Sequence, residues 1–209
     1  MVADEFWRRI GERTRASGEE REQVEREIWE RWGRSCAVLV SDMSRFSRIT
    51  RDHGVLHFLT MIHRMGQACR PAIASHGGHL VKGVADNLFV TFPTVQQAVD
   101  GALAMFDAVR AEGRARPDAE QIWLGVGIGY GAILDVEGRE IFGDAVNIAS
   151  KLGEDVANEN DVLVSADAAR EAVAPHGFRF EARRARLSAM ELDYYALVRA
   201  WPTEGSGDR

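Results

Sequence analysis

After Gly33 the chain switches repeatedly between two spacings of apolar residues, and that switching narrows the available folds more than any other feature. Run 36–41 (Cys-Ala-Val-Leu-Val-Ser) is apolar but too short for a helix, which predicts a buried strand. Segment 54–75 then places Leu56, Leu59, Ile62, His63, Gly66 and Cys69 at helical spacing, and Gly77 and Gly78 end it. Residues 79–82 and 87–92 read as a hairpin with Asp86 near its turn. A second helix is expected over 95–112, with Val99, Leu103, Phe106 and Val109 on one face. A strand over 121–130 leads through Gly131 into 132–134, followed by a third helix over 144–158 and a strand at 162–164. Ser165 caps a short helix over 165–174, and strands at 178–180 and 194–198 close the pattern. The order strand, helix, hairpin, helix, strand predicts an α+β fold: a ferredoxin-like split βαβ core with a mostly antiparallel sheet and helices on one side.

Ahead of this core, residues 1–32 read as a helical extension. Phe6, Trp7 and Ile10, then Val24, Ile28 and Trp32, recur at helical spacing, and Ser17 with Gly18 divides the segment into two helices or one kinked helix. Alternating acids and bases over 19–31 describe a solvated face laced by pairs one turn apart. Trp29 and Trp32 are costly to leave exposed, so deletion of 1–32 is expected to change dimerisation or activity. At 209 residues with 45% hydrophobic, the chain is long enough for one good-sized core, assigned to 33–200, with a loose tail over 201–209.

The net charge of -6 argues against nonspecific nucleic-acid binding, which relies on a surplus of Lys and Arg. No apolar run approaches the roughly 20 residues that span a bilayer, and the charged N-terminus is no signal peptide; a cytoplasmic protein is expected. Cys36 and Cys69 match no metal-ligand spacing and read as buried thiols in a reducing compartment. His53, His57 and His63 near the first helix read as surface or core residues. Glycines 125, 127, 129 and 131 mimic a phosphate loop, but their alternation with Val126, Ile128 and Tyr130 reads as a strand whose missing side chains permit close packing.

Three segments carry candidate chemistry. Asp42 ends the first strand and Asp86 sits in the hairpin, so adjacent strands can bring the two carboxylates together as a two-metal site. Free N–H groups after Asp42 can cradle a phosphate. Segment 142–151 (Phe-Gly-Asp-Ala-Val-Asn-Ile-Ala-Ser-Lys) sets Asn147 and Lys151 one turn apart on a single helical face. Each piece alone has a plain alternative, as a cap, a turn residue or a solvated face.

Taken together and in order, segments 38–47, 77–86 and 142–150 resemble the motifs of the class III nucleotidyl (adenylate/guanylate) cyclase catalytic domain, a likeness covering roughly 34–198. The resemblance implies that Asp42 and Asp86, with the Met43 carbonyl, hold two Mg²⁺ or Mn²⁺ ions. It places Arg45, Phe46 and Ser47 against the substrate, has Asn147 orient the ribose, and has Lys151 stabilise the charged transition state. It implies a head-to-tail homodimer in which the metal pair and the Asn come from opposite subunits. ATP would be converted to cyclic AMP and pyrophosphate.

Base choice in that family rests on two positions, matched here by Lys82, typical of adenine-specific members, and Glu140, where adenylate cyclases usually carry Asp or Thr. An ionised Glu accepts a hydrogen bond from the adenine amino group, and Lys82 donates to a ring nitrogen. The pair favours ATP; GTP or a pyrimidine nucleotide remains an alternative. Other positions depart from the pattern. Lys151 stands for the usual Arg and loses the bidentate fork. Arg45 stands for a glycine and either contacts the triphosphate or crowds it, and Ala85 stands for the glycine before the second aspartate. Ser188 and Ala189 replace a Lys-Gly pair that reaches the triphosphate, with Arg183, Arg184 or Arg186 as substitutes or as a solvated basic loop. These departures motivate a second reading, a degenerate cyclase that binds nucleotide or a partner without turnover.

Overall fold

The computed structural model describes residues 2–44, 51, 54–187 and 190–200. Two helices, α1 (Val2–Arg15) and α2 (Gly18–Trp32), precede strand β1 (Gly33–Met43). Then follow α3 (Val55–Ser75), the hairpin β2 (His79–Val84) and β3 (Asn87–Phe92), and α4 (Val95–Gly113). Strands β4 (Leu124–Val136) and β5 (Glu140–Phe142) lead into α5 (Asp144–Ser150), whose last turn widens into a π-helical segment, Lys151–Val156. The chain closes with β6 (Val162–Ser165), α6 (Ala166–Arg170), β7 (Phe178–Leu187) and β8 (Met190–Arg199).

Among the described residues eight strands form one sheet in the order β2-β3-β1-β4-β6-β8-β7, with β5 on the end of β4. Only the β4–β6 pair is parallel. β1 lies between β3 and β4 and is antiparallel to both, which is the split βαβ arrangement expected from the order of elements.

β1 is buried on both sides because its two faces serve different cores. Ala37, Leu39 and Met43 pack with Phe58, Met61, Met65, Cys69 and Ile73 of α3 and with Val99, Ala102, Met105 and Val109 of α4. Cys36, Val38 and Val40 face the other way, onto Ile133, Ile141, Ala145, Val146 and Ala149. Helices therefore cover both faces, not one: α3 and α4 on the first, α5 on the second. Burying side chains of this size stabilises by about 1.5–3 kcal/mol each.

Helix α3 lies where the spacing put it but presents a different face. Leu56 and Leu59 are 76% and 51% exposed, and the buried stripe is Phe58, Met61, Met65, Cys69 and Ile73. Leu and Met count equally in a periodicity, and only contact with the sheet decides between the stripes. The third helix is also shorter than expected, changing hydrogen-bonding pattern at Lys151, and the last two strands are longer, forming one hairpin over 178–187 and 190–199. Ser165 caps α6 by accepting from the Ala168 N–H at 3.1 Å.

The glycines of β4 do allow close packing. A Cβ on Gly127 would lie 2.2 Å from the Ala149 carbonyl oxygen, and one on Gly129 2.2 Å from that of Ala145. The backbone of α5 thus rests directly on the sheet. Both cysteines are free and buried, and burial pushes the Cys69 thiol up to about 12. Among the described residues no helix is long and apolar enough to cross a membrane.

Candidate active site

The first cluster forms where β1 meets the β2–β3 hairpin. Ser41 pairs with Leu88, so Asp42 stands one step beyond, level with Asn87, and Asp86 follows one residue further on, at the adjoining strand end. In phase with Val38 and Val40, Asp42 belongs to the α5 face. Asp86 is 7% exposed and occupies the tight connection between β2 and β3, where Ala85 adopts the left-handed φ of 51°. Burial and the facing Asp86 carboxylate, with Glu154 beyond, push the Asp42 carboxyl up to about 7, against a hydrogen bond from the Met43 backbone N–H. Burial raises Asp86 as well.

Two desolvated carboxylates that repel each other favour either a proton or a cation between them. Their hard oxygens suit Mg²⁺ or Mn²⁺. Among the described residues no set of three or more His, Cys, Asp and Glu is arranged as a metal cage. A pair of carboxylates is the donor set expected when substrate phosphate and water complete the coordination. Met43 has its side chain in the α3/α4 core, which leaves its backbone beside Asp42. Arg45, Phe46 and Ser47 lie outside the described residues.

The second cluster joins Lys82 of β2 to Glu140 of β5, Nζ to Oε2 at 2.5 Å. A bulge creates it. Leu80 pairs with Val90 but Lys82 pairs with Phe89, so one extra residue is inserted at Val81. Without it Lys82 would follow Leu80 onto the α3/α4 face; with it the ammonium lies 5.6 Å over the Phe89 ring on the other face. The turn before Glu140 is held too: Asp135 accepts from the Gly138 N–H at 2.7 Å, and His79 Nε2 lies 2.9 Å from the Gly138 carbonyl.

The third cluster is on α5. Asn147 and Lys151 line an open pocket of about 690 Å³ together with Asp144, Ile148, Ser150, Glu154 and Asp155. Asp42 lines another, of about 490 Å³, with Ser44, Ala157, Asn158 and Glu159. Within one chain, then, Asp42 and the Asn147–Lys151 pair open into separate pockets. Glu154 lines the pocket of Asn147 and Lys151 and also acts on Asp42: it accepts a hydrogen bond from Ser150, and burial, Asp155 and Asp86 raise its carboxyl. No role was read for Glu154 in the sequence, although it follows Lys151 by three residues. Gly153 sets its position, since a Cβ there would lie 2.5 Å from the Val40 carbonyl oxygen of β1.

Residues 31–192 match the family described as the Adenylate and Guanylate cyclase catalytic domain. The chain belongs to that family. A Rhizobium meliloti protein provisionally named adenylate cyclase 3 is 34% identical over 133 residues, 63% of this chain and 22% of its own length. The adenylate cyclase of Streptomyces coelicolor is 27% identical over 157 residues, 75% of this chain and 37% of its own. The chain thus spans well under half the length of these relatives. Among solved structures, the adenylate/guanylate cyclase/hydrolase from Silicibacter pomeroyi is 29% identical with a TM-score of 0.62, covering 79% of this chain and 97% of that one.

At the far edge of the cyclase domain's sheet, two of the arginines considered for the triphosphate are engaged locally. Arg184 forks onto Asp193 at 2.5 and 3.2 Å, and Arg183 donates to Glu181 at 3.3 Å. Arg186 is exposed on β7, and Ser188 and Ala189 lie outside the described residues.

Proposed function

We propose that this domain converts ATP to 3′,5′-cyclic AMP and pyrophosphate, with each active site shared between two copies in a head-to-tail homodimer. The observation that carries the reading is the pair of neighbouring carboxylates, half-buried Asp42 and buried Asp86, of which Asp42 is raised to about 7 by burial and by its neighbour. Divalent Mg²⁺ or Mn²⁺ held there would lower the pKa of the ribose 3′-hydroxyl and draw charge from the α-phosphate. The 3′-oxygen attacks the α-phosphorus, its proton passes to water, and the bond to the β-phosphate oxygen breaks to release pyrophosphate. Asn147 orients the ribose, and the Lys151 ammonium stabilises charge on the phosphate in the transition state. Lys82 donates to an adenine ring nitrogen while Glu140 accepts from the amino group. The open pocket that Asn147 and Lys151 line includes neither Asp42 nor Asp86 among the described residues, which suits a composite site in which a second copy brings its aspartates to this α5.

The test is a panel of ATP, GTP, CTP and UTP with Mn²⁺ and then Mg²⁺, products identified by mass spectrometry, with Asp42→Ala alongside. Cyclic AMP from ATP, lost in the variant, is expected. A cyclic product from another nucleotide would correct the base, and no product from any would leave a binding module.

A further inference from the structure

The N-terminal helices meet the domain through a small apolar cluster in which Phe6, Val24, Ile28 and Trp32 pack with Val136, Leu134 and Phe142. Phe6 of α1 is 2% exposed, stacked on Phe142 of β5 with ring centroids 5.7 Å apart and planes at 5°. The Trp32 ring closes on Phe6 edge-on at 5.3 Å, and Trp7 meets Phe142 edge-on at 6.0 Å. Ile10 of α1 packs against the same cluster, and ion pairs open to water add to the α1–α2 contact, Arg31–Glu5 at 2.5 Å and Arg13–Glu25 at 2.7 Å, each contributing little. Within that cluster Phe6 is the buried side chain of α1 that stacks on β5.

What it packs on is a short strand whose middle residue, Ile141, is buried against α5. β5 has three residues and pairs only with β4, Leu134 opposite Phe142 and Val136 opposite Glu140. Its first residue, Glu140, holds Lys82. Its last, Phe142, runs into Gly143 at a φ of 147°, and the Gly143 carbonyl accepts from the N–H groups of Val146 and Asn147 at 3.1 Å each. The ring that Phe6 presses thus lies on the same few residues of backbone as Glu140 and Asn147.

We propose that the N-terminal helical pair is a positioning part of the nucleotide site, acting through Phe6 stacked on Phe142 to set Glu140 and the first turn of α5. Phe6 and Phe142 are positioning residues and touch no substrate. The inference rests on the cyclase reading for what is bound, but its structural half stands apart from turnover. It also narrows the broader expectation that removing 1–32 alters the protein, because it names one contact and the strand through which the effect passes.

The experiment compares full-length wild type, Phe6→Ala, Phe6→Leu and Trp29→Ala. Two quantities are read: hydrogen exchange along the backbone, and affinity for 3′-deoxy-ATP, which lacks the attacking hydroxyl. Phe6→Ala should speed exchange over 140–147, leave β1 and β3 unchanged, and weaken 3′-deoxy-ATP binding about three- to tenfold, the range an aromatic pair spans. Phe6→Leu, which keeps apolar volume, should fall between, and Trp29→Ala should match wild type. Unchanged exchange over 140–147 with unchanged affinity would overturn the proposal, and so would a rise spread evenly over β1 and β3, which marks a loss of global stability. Failure of wild type to make a cyclic product would remove the cyclase reading while these two measurements still decide the coupling. Failure of wild type to bind the analogue would overturn both.

Discussion

On the face covered by α3 and α4, the sheet offers Leu39, Met43, Val126 and Ile128 to Phe58, Met61, Met65 and Met105, side chain against side chain. On the face covered by α5, beside Val38, Val40 and Ile133, it offers glycine backbone, with Gly127 under Ala149 and Gly129 under Ala145. The first contact is thick and adaptable, since methionines on both helices can fill small gaps. The second is thin and unforgiving, since neither backbone can move aside. Asp42, Lys82, Asn147 and Lys151 belong to this second side. A site that needs groups placed within a fraction of an ångström is better built on backbone contact than on a deformable core.

The largest test of this contrast is Asp42→Ala. Turnover should fall by about a hundredfold or more, since even outer partners of a metal ligand are worth 10–100-fold. Unfolding curves of metal-free protein should show the fold retained. A variant as active as wild type would remove Asp42 from the chemistry.

Next is the thick face. Met65→Ala should destabilise by about 2–5 kcal/mol in urea unfolding, with turnover per folded molecule unchanged. Gly127→Ala should destabilise by about 1–3 kcal/mol or more, and in addition lower kcat by displacing α5. If both variants changed stability and kcat in the same proportion, the two faces would not differ in the way described.

The pH dependence sharpens the comparison further. Asp42 titrates near 7 in the folded chain against a carboxylate's ordinary 3.8. A raised folded pKa means that the stability it contributes is full below about pH 4 and is lost as pH rises through about 7. Asp86 and Glu154 are shifted in the same direction. Thermal melts of metal-free protein should therefore decline between pH 4 and 7, and Asp42→Asn should flatten that decline. Mn²⁺ or Mg²⁺, which competes with the proton, should raise the melting temperature more at pH 8 than at pH 5. Equal metal shifts at both pH values would count against metal at these carboxylates.

The smallest effect belongs to the hairpin turn. Ala85 holds a φ of 51° where glycine is free of strain. Ala85→Gly should stabilise by about 1 kcal/mol, read from urea midpoints. A loss of stability would show that the methyl group contributes packing that outweighs the strain.

Much of the fold was legible because its signals are local. The run 36–41, the periodicities of α3 and α4, the break at Ser17 and Gly18, and the alternating glycines of β4 each reside in a few neighbouring residues. Local signals failed where two stripes competed, as in α3, and where hydrogen bonding changed within a helix, as at Lys151. The candidate site divides in the same way. Asn147 and Lys151 share a face by spacing alone, and the Asp42 and Asp86 segments were readable as motifs.

The sequence by itself determined the order of elements, the helical pairing of Asn147 with Lys151, and the two aspartates as strand-end residues. Tertiary structure alone decided that the bulge at Val81 turns Lys82 toward Glu140, 58 residues away. It alone brought Glu154 near Asp86 and stacked Phe6 on Phe142. The physical reason is register: periodicity states which face a residue occupies relative to its neighbours, whereas a single inserted residue in one strand reverses that face, and only packing of the whole sheet selects where the insertion falls.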